Sequence, residues 1–311
     1  MSFTPSLFGY MKQTQRFLRD GKTELIDPED LVDYCNRSRR EVAMRSQCLR
    51  YLPPISGSIT GASIVAPGIN YTAPTLAISA PDFPSGYGTY PGGLQATANA
   101  TVTSGSITAS AITQGGSGYF DPSITITDIT GSGASIAPVL SWFNQTVQSQ
   151  EVYPFSAVEL PTGYDSIVAV KSVSIIYANY RYSLPQYSFS TYQAMIRQYP
   201  FQYEYVPTFC SQYGQGNAGS LYMYPLPTQG YQMEWDCFCL PADLTMASGD
   251  ATDLIPLPWC EAVPHFMAYL AYLELQSFNN ARLHQQLFDD FMHRYRGYAS
   301  PGRATNPYGR W

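Results

Sequence analysis

Few residues of this chain have the types and spacing that catalysis or metal binding needs. Glu234 and Asp236 lie two residues apart in a strand-like run, which places both carboxylates on one face, as paired acid/base residues would be. Any alternating strand with a solvated face gives the same pattern, so we interpret them as surface residues. His284 and His293 are nine residues apart and fall on different faces of a helix, so they do not form a metal-binding pair at i and i+4. His265 lies on an apolar helix, which favours an interface histidine.

The glycine-rich turns offer two more candidates. Residues 115–118 are Gly-Gly-Ser-Gly, but the lysine of a phosphate-binding P-loop is absent and no helix is predicted to follow. Asp82, Asp121 and Asp128 occur one to a turn, without the dense spacing of a calcium loop. We therefore predict no catalytic residue, no metal site and no cofactor, and we expect that the protein is not an enzyme.

The six cysteines include no C-x-x-C pair. Cys237 and Cys239 lie two apart in a strand-like run and so share one face of a sheet. This placement suits core packing and predicts buried free thiols. Folding in the reducing cytoplasm of a cell is the simplest consequence.

The composition favours a surface that is covered by other proteins. Charged residues make up 13% of the chain, about half of the roughly 25% of ordinary domains, and tyrosine occurs 26 times. The net charge of −6 argues against a protein that binds nucleic acid by neutralising phosphates. No signal peptide is recognised, and the most apolar stretch, residues 266–273, is far shorter than the ~20 residues of a membrane span, so we predict no membrane partner.

Residues 1–50 are predicted to be helical. Asp27-Pro28-Glu29-Asp30 is a strong helix start, and we expect the helix to run to Arg50. Its apolar stripe, the predicted core, consists of Leu31, Cys35, Val42 and Leu49. The other faces carry the arginines that we assign to a DNA channel or a subunit interface, namely Arg37, Arg39, Arg40 and Arg45.

Residues 51–142 contain no Lys, Arg or Glu and are predicted to form short strands. An internal repeat is visible, because Ser-Gly-Ser-Ile-Thr occurs at both 56–60 and 104–108. Two copies of about 45 residues predict one small, pseudo-symmetric β domain inserted into the chain.

Residues 143–257 are predicted to be β-rich. The alternating runs 221–225 and 231–237, separated by turn residues, predict a hairpin. Residues 258–298 return to helix, with predicted core positions Phe266, Leu270 and Leu273. The tail, residues 299–311, is too short to fold alone and carries the residue types that anchor interfaces, namely Arg303, Tyr308, Arg310 and Trp311.

This order predicts the α+β class. We expect the N- and C-terminal helices to form one helical bundle, with a central β-rich region and an inserted small β-sandwich-like domain between them.

Several segments resemble the head-to-tail adaptor proteins of short-tailed phages (podoviruses). The resemblance covers roughly residues 1–50 and 145–311. It consists of ordinary residues in a recurring pattern and includes no catalytic signature. The segments that carry it are the helix starting at Asp27, Leu221-Tyr222-Met223-Tyr224-Pro225-Leu226-Pro227, Met233-Glu234-Trp235-Asp236-Cys237, Leu240-Pro241, Leu257-Pro258-Trp259-Cys260-Glu261-Ala262-Val263-Pro264, Ala268-Tyr269-Leu270-Ala271-Tyr272-Leu273 and Asn306-Pro307-Tyr308.

The resemblance implies a virion protein of the phage neck that forms a homo-oligomeric ring, usually a dodecamer. Its implied partners are the portal protein, the tail nozzle and DNA that passes during ejection without sequence-specific binding. The tail would dock on the portal. The block 51–142 departs from the family pattern and looks like an immunoglobulin-like decoration of phage virion proteins. Bracing the neck, contacting the capsid and binding carbohydrate weakly are its alternative tasks. The alternative is a tail-fibre or surface adhesin that binds carbohydrate, which the neutral β repeat favours. A glycan hydrolase was a further alternative and would require a working carboxylate pair.

Overall fold

The computed structural model describes residues 4–20, 25–82, 93–177, 180–198 and 204–299, and the burial of side chains up to residue 295. Within this part the chain is of the predicted α+β class, with five α-helices and fourteen β-strands. The helices are α1 (Leu7–Leu18), α2 (Pro28–Ser46), α3 (Phe189–Ile196), α4 (Val263–Glu274) and α5 (Phe278–Ala299). The strands are β1 (Arg50–Tyr51), β2 (Ile59–Ile69), β3 (Thr75–Ile78), β4 (Thr97–Thr103), β5 (Ser106–Gln114), β6 (Ile124–Thr127), β7 (Ser132–Leu140), β8 (Val152–Pro154), β9 (Tyr164–Tyr177), β10 (Tyr180–Leu184), β11 (Gln186–Tyr187), β12 (Phe209–Tyr213), β13 (Ser220–Tyr224) and β14 (Gln232–Pro241).

Helix α2 begins where the sequence predicts and ends earlier. Pro28 is its first residue, after Asp27 in an extended conformation. The helix ends at Ser46 because Gln47 adopts a left-handed conformation (φ 53°) and its N–H closes the last turn on Ala43. The predicted extension to Arg50 was wrong, since that residue already pairs with β14 as part of β1. Leu49 is buried, but in the connection after the helix.

Helices α1, α2, α4 and α5 share one hydrophobic core, so segments from the two ends of the chain meet. We call these four helices the helical cluster. The predicted positions Leu31, Cys35 and Val42 of α2 are fully buried in it. From the C-terminal side it contains Met267 of α4 and Phe288 of α5. None of the described helices is long and apolar enough to cross a bilayer.

The buried face of α4 differs from the predicted one. Val263, Met267 and Ala271 are fully buried, whereas Leu270 is half-buried and Leu273 is 37% exposed. The assignment of Leu273 to the core was therefore wrong, and the half-buried Leu270 is not among the residues that form or pack against this core. Helix α4 contacts α1, α2 and α5. The face that it turns toward them carries Val263, Met267 and Ala271, and Leu270 lies one position before this buried stripe. Phe266, also predicted, is half-buried and packs against the cluster at its edge.

The central region is built from two four-stranded sheets. The first has the order β1-β14-β9-β10 and is antiparallel; the second has the order β11-β12-β13-β8 and is parallel only between β11 and β12. Both sheets contribute to a common core, which includes Val173 and Trp235 from the first and Tyr153 and Met223 from the second. We call this unit the two-sheet region.

The hairpin predicted from runs 221–225 and 231–237 was wrong, because β13 and β14 belong to different sheets. The residues between them cross from one sheet to the other, and the Tyr231 carbonyl accepts a hydrogen bond from the Thr146 N–H at 2.7 Å. Strand β14 has ten residues and finds a longer partner in the 14-residue β9 than in the five-residue β13. The longer ladder satisfies more backbone groups.

The repeat appears in the structure as paired copies. Strands pair as β2–β7, β3–β6 and β4–β5, and β3 of the first copy lies antiparallel to β6 of the second. The Tyr71 N–H donates to the Gly105 carbonyl, and the Tyr119 N–H donates to the Gly57 carbonyl, so each copy holds the turn of the other in the same way. We call residues 51–142 the repeat lobe. Its two ends lie side by side, since the Ser141 N–H donates to the Ser58 carbonyl at 2.8 Å.

Candidate assembly interface

One of the arginines predicted to face a channel or a neighbour lies inside the protein. Arg39 is 2% exposed, and its guanidinium binds the Asp253 carboxylate through Nε (3.0 Å) and Nη2 (2.5 Å). Nη1 donates to the Ala242 carbonyl at 2.7 Å. The assignment of Arg39 to an exposed interface was therefore wrong. A buried guanidinium with this many partners fixes the position of its neighbours.

The Arg39–Asp253 pair joins segments that are distant in sequence. The Asp253 carboxylate also accepts hydrogen bonds from the Tyr10 hydroxyl of α1 at 2.9 Å and from the backbone N–H of Leu254 at 2.8 Å. Burial, and then the Asp253 carboxylate, raise the pKa of Tyr10 well above its ordinary value, so the phenol stays a donor. Asn36 of α2 adds two hydrogen bonds to the backbone of Leu244. The network thus ties α1 and α2 to the connection between the two-sheet region and α4.

The other predicted arginines remain on the surface. Arg40 pairs with Asp243 at 2.5 Å, and Arg45 pairs with Glu41 at 2.5 Å and with Asp289 of α5 at 2.6 Å. Arg37 is exposed and has no ion pair within the described part of the chain. This face of α2 is therefore largely neutralised by acids. Its assignment to a DNA channel or a subunit interface stays a prediction.

Large apolar side chains are exposed at the turn between α4 and α5. Phe278 is 66% exposed at the start of α5, and Leu283 is 52% exposed one turn further on. Leu273 and Leu275, at the end of α4, are partly exposed as well. Neighbouring exposed apolar residues of this kind are typical of surfaces that other proteins cover. We call these four residues the helix-turn patch.

Exposed tyrosines mark a second surface on the two-sheet region. Tyr180 and Tyr182 lie on β10, the edge strand of the first sheet, and Tyr177 ends the neighbouring β9. Tyr205, which precedes β12, and Tyr182 line the same surface cavity of about 320 Å³. Tyrosine is enriched in the centres of protein interfaces. We call these four residues the tyrosine edge.

Two histidines that sequence reasoning treated separately meet in the helical cluster. Nδ1 of His265 on α4 lies 3.4 Å from Nδ1 of His284 on α5, and the Phe17 ring stacks on His265 at 4.9 Å. Burial, and then the neighbouring His284, lower the pKa of His265 to about 4. Burial also lowers the pKa of His284. Both imidazoles are therefore neutral at physiological pH. His293 is exposed elsewhere on α5.

The carboxylates considered for catalysis take part in surface ion pairs. Glu234 pairs with Arg181 at 2.6 Å, and Asp236 pairs with Arg50. Both pairs bridge strands of the first sheet, which is the role expected of the solvated face of a sheet.

The aspartates considered for calcium cap backbone turns. Asp82 accepts from the N–H groups of Phe120 and Asp121, just after the buried tyrosine of the second copy. Asp128 accepts from the N–H groups of Thr72 and Ala73 in the first copy, and others within its own turn. These backbone hydrogen bonds hold the pKa of the Asp128 carboxyl well below its ordinary value. Within the described ranges, no cluster of three metal-binding side chains occurs.

All six cysteines are free, as predicted, and five of them are buried. Cys237 and Cys239 both lie in the core of the two-sheet region. Burial raises the pKa of the Cys239 thiol to about 12, which leaves almost no reactive thiolate at neutral pH. Cys48 is half-buried.

The predicted portal-docking residues Arg303, Tyr308, Arg310 and Trp311 lie outside the described residues. Sequence reasoning overlooked Asp253, the histidine pair and the exposed position of Phe278. Nothing in their local sequence marks them, because each acquires its role only from elements packed against it.

Comparison with known families identifies the chain. A family model described as SU10 adaptor protein matches residues 136–308, which is more than half of the 311 residues. The match covers the two-sheet region except β1, together with the C-terminal helices, and it begins within β7, the last strand of the repeat lobe. No curated protein matches the chain. The chain belongs to the SU10 adaptor protein family, and it is therefore a structural adaptor protein of a phage virion.

Proposed function

We propose that this protein is the head-to-tail adaptor of a short-tailed phage, forming a ring, most simply of twelve copies, between the portal and the tail nozzle. The family match carries the proposal, since an adaptor joins two larger assemblies. On this proposal the protein works in the neck of the virion, is folded in the host cytoplasm and has no enzymatic activity or cofactor. DNA passes through the ring during ejection without sequence-specific contacts.

A closed ring requires two different surfaces on each subunit, one for each neighbour. The helix-turn patch and the tyrosine edge are two such surfaces on separate parts of the molecule, one on the helical cluster and one on the two-sheet region. Exposed charges flank both surfaces, namely Glu274 and Arg282 beside the helix-turn patch, and Glu204 and the Arg181–Glu234 pair beside the tyrosine edge. Burying them against neighbouring copies removes apolar area from water, at roughly 25 cal/mol per Å².

The parts of the chain have distinct roles in this proposal. The predicted bundle of residues 1–50 and 258–298, to which the helical cluster corresponds, is the core of the ring. Residues 143–257 face the tail nozzle, and residues 299–311 insert between portal subunits. The repeat lobe is an immunoglobulin-like insertion that contacts the capsid. Its adjacent ends, and a family match that covers only its last few residues, support its status as an insertion.

The ring is tested by native mass spectrometry and electron microscopy of the full chain, alone and with its portal protein. We expect a closed ring on the portal, and its loss when Phe278→Ser and Leu283→Ser are combined. Val65→Ser, at an equally exposed apolar residue of the repeat lobe, is the matched control and is expected to assemble normally. A monomer that remains bound singly to the portal would refute the ring.

The docking role of residues 299–311 has its own test. A chain that ends at Tyr298 is expected to keep the helical signal of the full protein and to lose portal binding in a pull-down. The truncation removes Arg303, Tyr308, Arg310 and Trp311 together. Undiminished binding of the folded, truncated protein would exclude the segment from portal docking.

A further inference from the structure

The two imidazoles of the helical cluster face each other through the same ring nitrogen. Nδ1 of His265 on α4 lies 3.4 Å from Nδ1 of His284 on α5, and the ring centroids are 5.7 Å apart. The centroid distance exceeds the nitrogen distance by about two imidazole radii, so the two nitrogens point almost straight at each other. Only one proton fits between them. In the neutral pair, therefore, one Nδ1–H donates a hydrogen bond and the other Nδ1 accepts it.

Aromatic rings from three helices surround this pair. Phe17 of α1 contacts both imidazoles, at 4.9 Å from His265 and 5.2 Å from His284. Phe291 of α5 contacts His265, and Tyr272 of α4 stacks on His284. Among the described residues, Tyr272 is the only other titratable group in ring contact with the pair, and its hydroxyl donates to the Phe17 carbonyl at 2.8 Å.

No acidic side chain balances a positive charge at this position. Burial, and then His284, lower the pKa of His265, and burial lowers the pKa of His284, without a contribution from any carboxylate of the described chain. The nearest charged residues along α1 and α5, Arg16 and Arg282, are basic and exposed. Each proton that binds the pair therefore adds an unbalanced charge to a largely apolar site.

The pair can bind one proton without losing its hydrogen bond. The first proton binds the outer Nε2 of the imidazole that already donates, and the Nδ1–H of this imidazolium still points at its neighbour. A hydrogen bond with a charged donor is stronger than a neutral one. The second proton has to bind the accepting Nδ1, which places two N–H groups and two positive charges head to head. The hydrogen bond is then lost, and the two rings repel each other.

The pair lies at the base of the segment that carries the helix-turn patch. Leu273 directly follows Tyr272, and Leu283 directly precedes His284. The two ring-contacting residues therefore bracket residues 273–283, which contain the end of α4, the turn and the start of α5. Separation of the rings releases this segment at its base.

We propose that His265 and His284 form an acid-sensitive switch between α4 and α5. While the pair binds at most one proton, the turn stays packed and presents the helix-turn patch. Binding of the second proton separates α4 from the start of α5, and the patch is lost. The switch lies within one subunit, so it does not depend on the ring proposed above.

The direction of the pH dependence follows from the folded state. The pKa of His265 is about 4 there, below its ordinary value of 6.5. Opening therefore takes up protons, and it becomes more favourable as the pH falls from 6.5 through 4. Above this range both imidazoles are neutral and the switch stays closed.

The first test is hydrogen exchange of the full chain followed by mass spectrometry at pH 6 and pH 4, with rates corrected for the intrinsic effect of pH. We expect the amides of residues 273–283 to lose at least about tenfold in protection at pH 4, while β9 and β14 keep theirs. The double variant His265→Phe and His284→Phe has no proton to bind at this site and is expected to lose none. His293→Phe, at the exposed histidine of α5, is the matched control and is expected to behave like the wild type.

The second test is a nuclear magnetic resonance titration of the histidine side chains in the wild type. We expect the pair to titrate in two steps, and residues 273–283 to stay protected through the first step and to open in the second. This measurement needs no substitution, so it decides the question even if the double variant does not fold.

Three results would overturn the inference. The first is unchanged protection of residues 273–283 in the wild type at pH 4. The second is an equal loss of protection in the double variant when circular dichroism shows that it is folded. The third is opening of the segment at the first titration step, since one proton would then be enough to break the contact.

Discussion

Replacement of Arg39 by methionine should strongly destabilise the helical cluster. The substitution keeps the length of the side chain and removes the guanidinium that binds Asp253 and the Ala242 carbonyl. Both members of the pair are almost completely buried, at 2% and 0% side-chain exposure. Removing one partner leaves an uncompensated charge in the interior, which typically costs about 3–5 kcal/mol. We expect Arg39→Met to lower the free energy of unfolding of this region by about 4 kcal/mol.

The measurement is urea unfolding followed by circular dichroism at a wavelength where helices dominate. With a slope of about 2 kcal/mol per M, the expected loss shifts the unfolding midpoint by roughly 2 M. Arg40→Met is the matched control on the same helix, because the pair of Arg40 with Asp243 is about half exposed. Exposed pairs contribute less than about 1 kcal/mol, so its midpoint should move little.

A double variant separates the pair from the helix itself. Asp253→Leu combined with Arg39→Met removes both charges, and buried ion pairs replaced by apolar groups are often close to neutral. We expect partial recovery, limited by the Tyr10 hydroxyl that loses its acceptor. The reasoning is refuted if Arg39→Met and Arg40→Met shift the midpoint equally, or if the double variant is less stable than Arg39→Met.

Three further predictions follow from buried groups. The pKa of His265 is about 4 in the folded chain, below its ordinary value of 6.5. As the pH drops from 6.5 through 4, the unfolded chain binds a proton at this histidine before the folded chain does, so the free energy of unfolding should fall. Allowing for its partial exposure, the loss is about 2 kcal/mol, and thermal unfolding of His265→Phe at pH 7 and pH 5 should show a smaller drop than the wild type. Tyr119→Phe removes the hydroxyl that accepts from the Ala96 N–H at 2.7 Å, and it should lower the free energy of unfolding in urea by about 1–3 kcal/mol. Tyr71→Phe should have a smaller effect, because the Tyr71 hydroxyl accepts from the Ala134 N–H at 3.2 Å. Equal effects of the two substitutions would contradict this ranking. In a thiol-labelling assay at least five of the six cysteines should be protected in the native protein, with Cys48 the first to react; rapid labelling of several would contradict the buried assignment.

Local signals in the sequence were sufficient to predict the start of α2, the two copies of the repeat and the burial of Cys237 and Cys239 as free thiols. The ring of Pro28 restricts its φ to a helical value, and the acidic Glu29 and Asp30 in the first turn interact favourably with the helix dipole. Both effects are local and do not depend on tertiary contacts. The repeated pentapeptide predicted two copies, and these pair with each other through β3 and β6. Cys237 and Cys239 were assigned to a buried face because side chains two apart in a strand point the same way.

The failed predictions for Arg39, the hairpin and the buried face of α4 concern partners that are distant along the chain. Arg39 looked like one surface arginine among several, and only Asp253, 214 positions away, makes it a buried residue. The same holds for β14, which pairs with β9 although β13 is much closer in sequence. Three helices pack against α4 and together decide which of its faces is buried. The apolar face that we predicted from the sequence of α4 alone was therefore about one residue away from the buried one.

The sequence by itself therefore determined the α+β class, the low share of charged residues and the abundance of tyrosine. These properties depend on composition and on contacts within a few residues. The tertiary structure decided which charged groups are buried and that His265 faces His284. The physical reason is that these partners come from elements distant in the chain, so the packing of whole elements decides whether they meet.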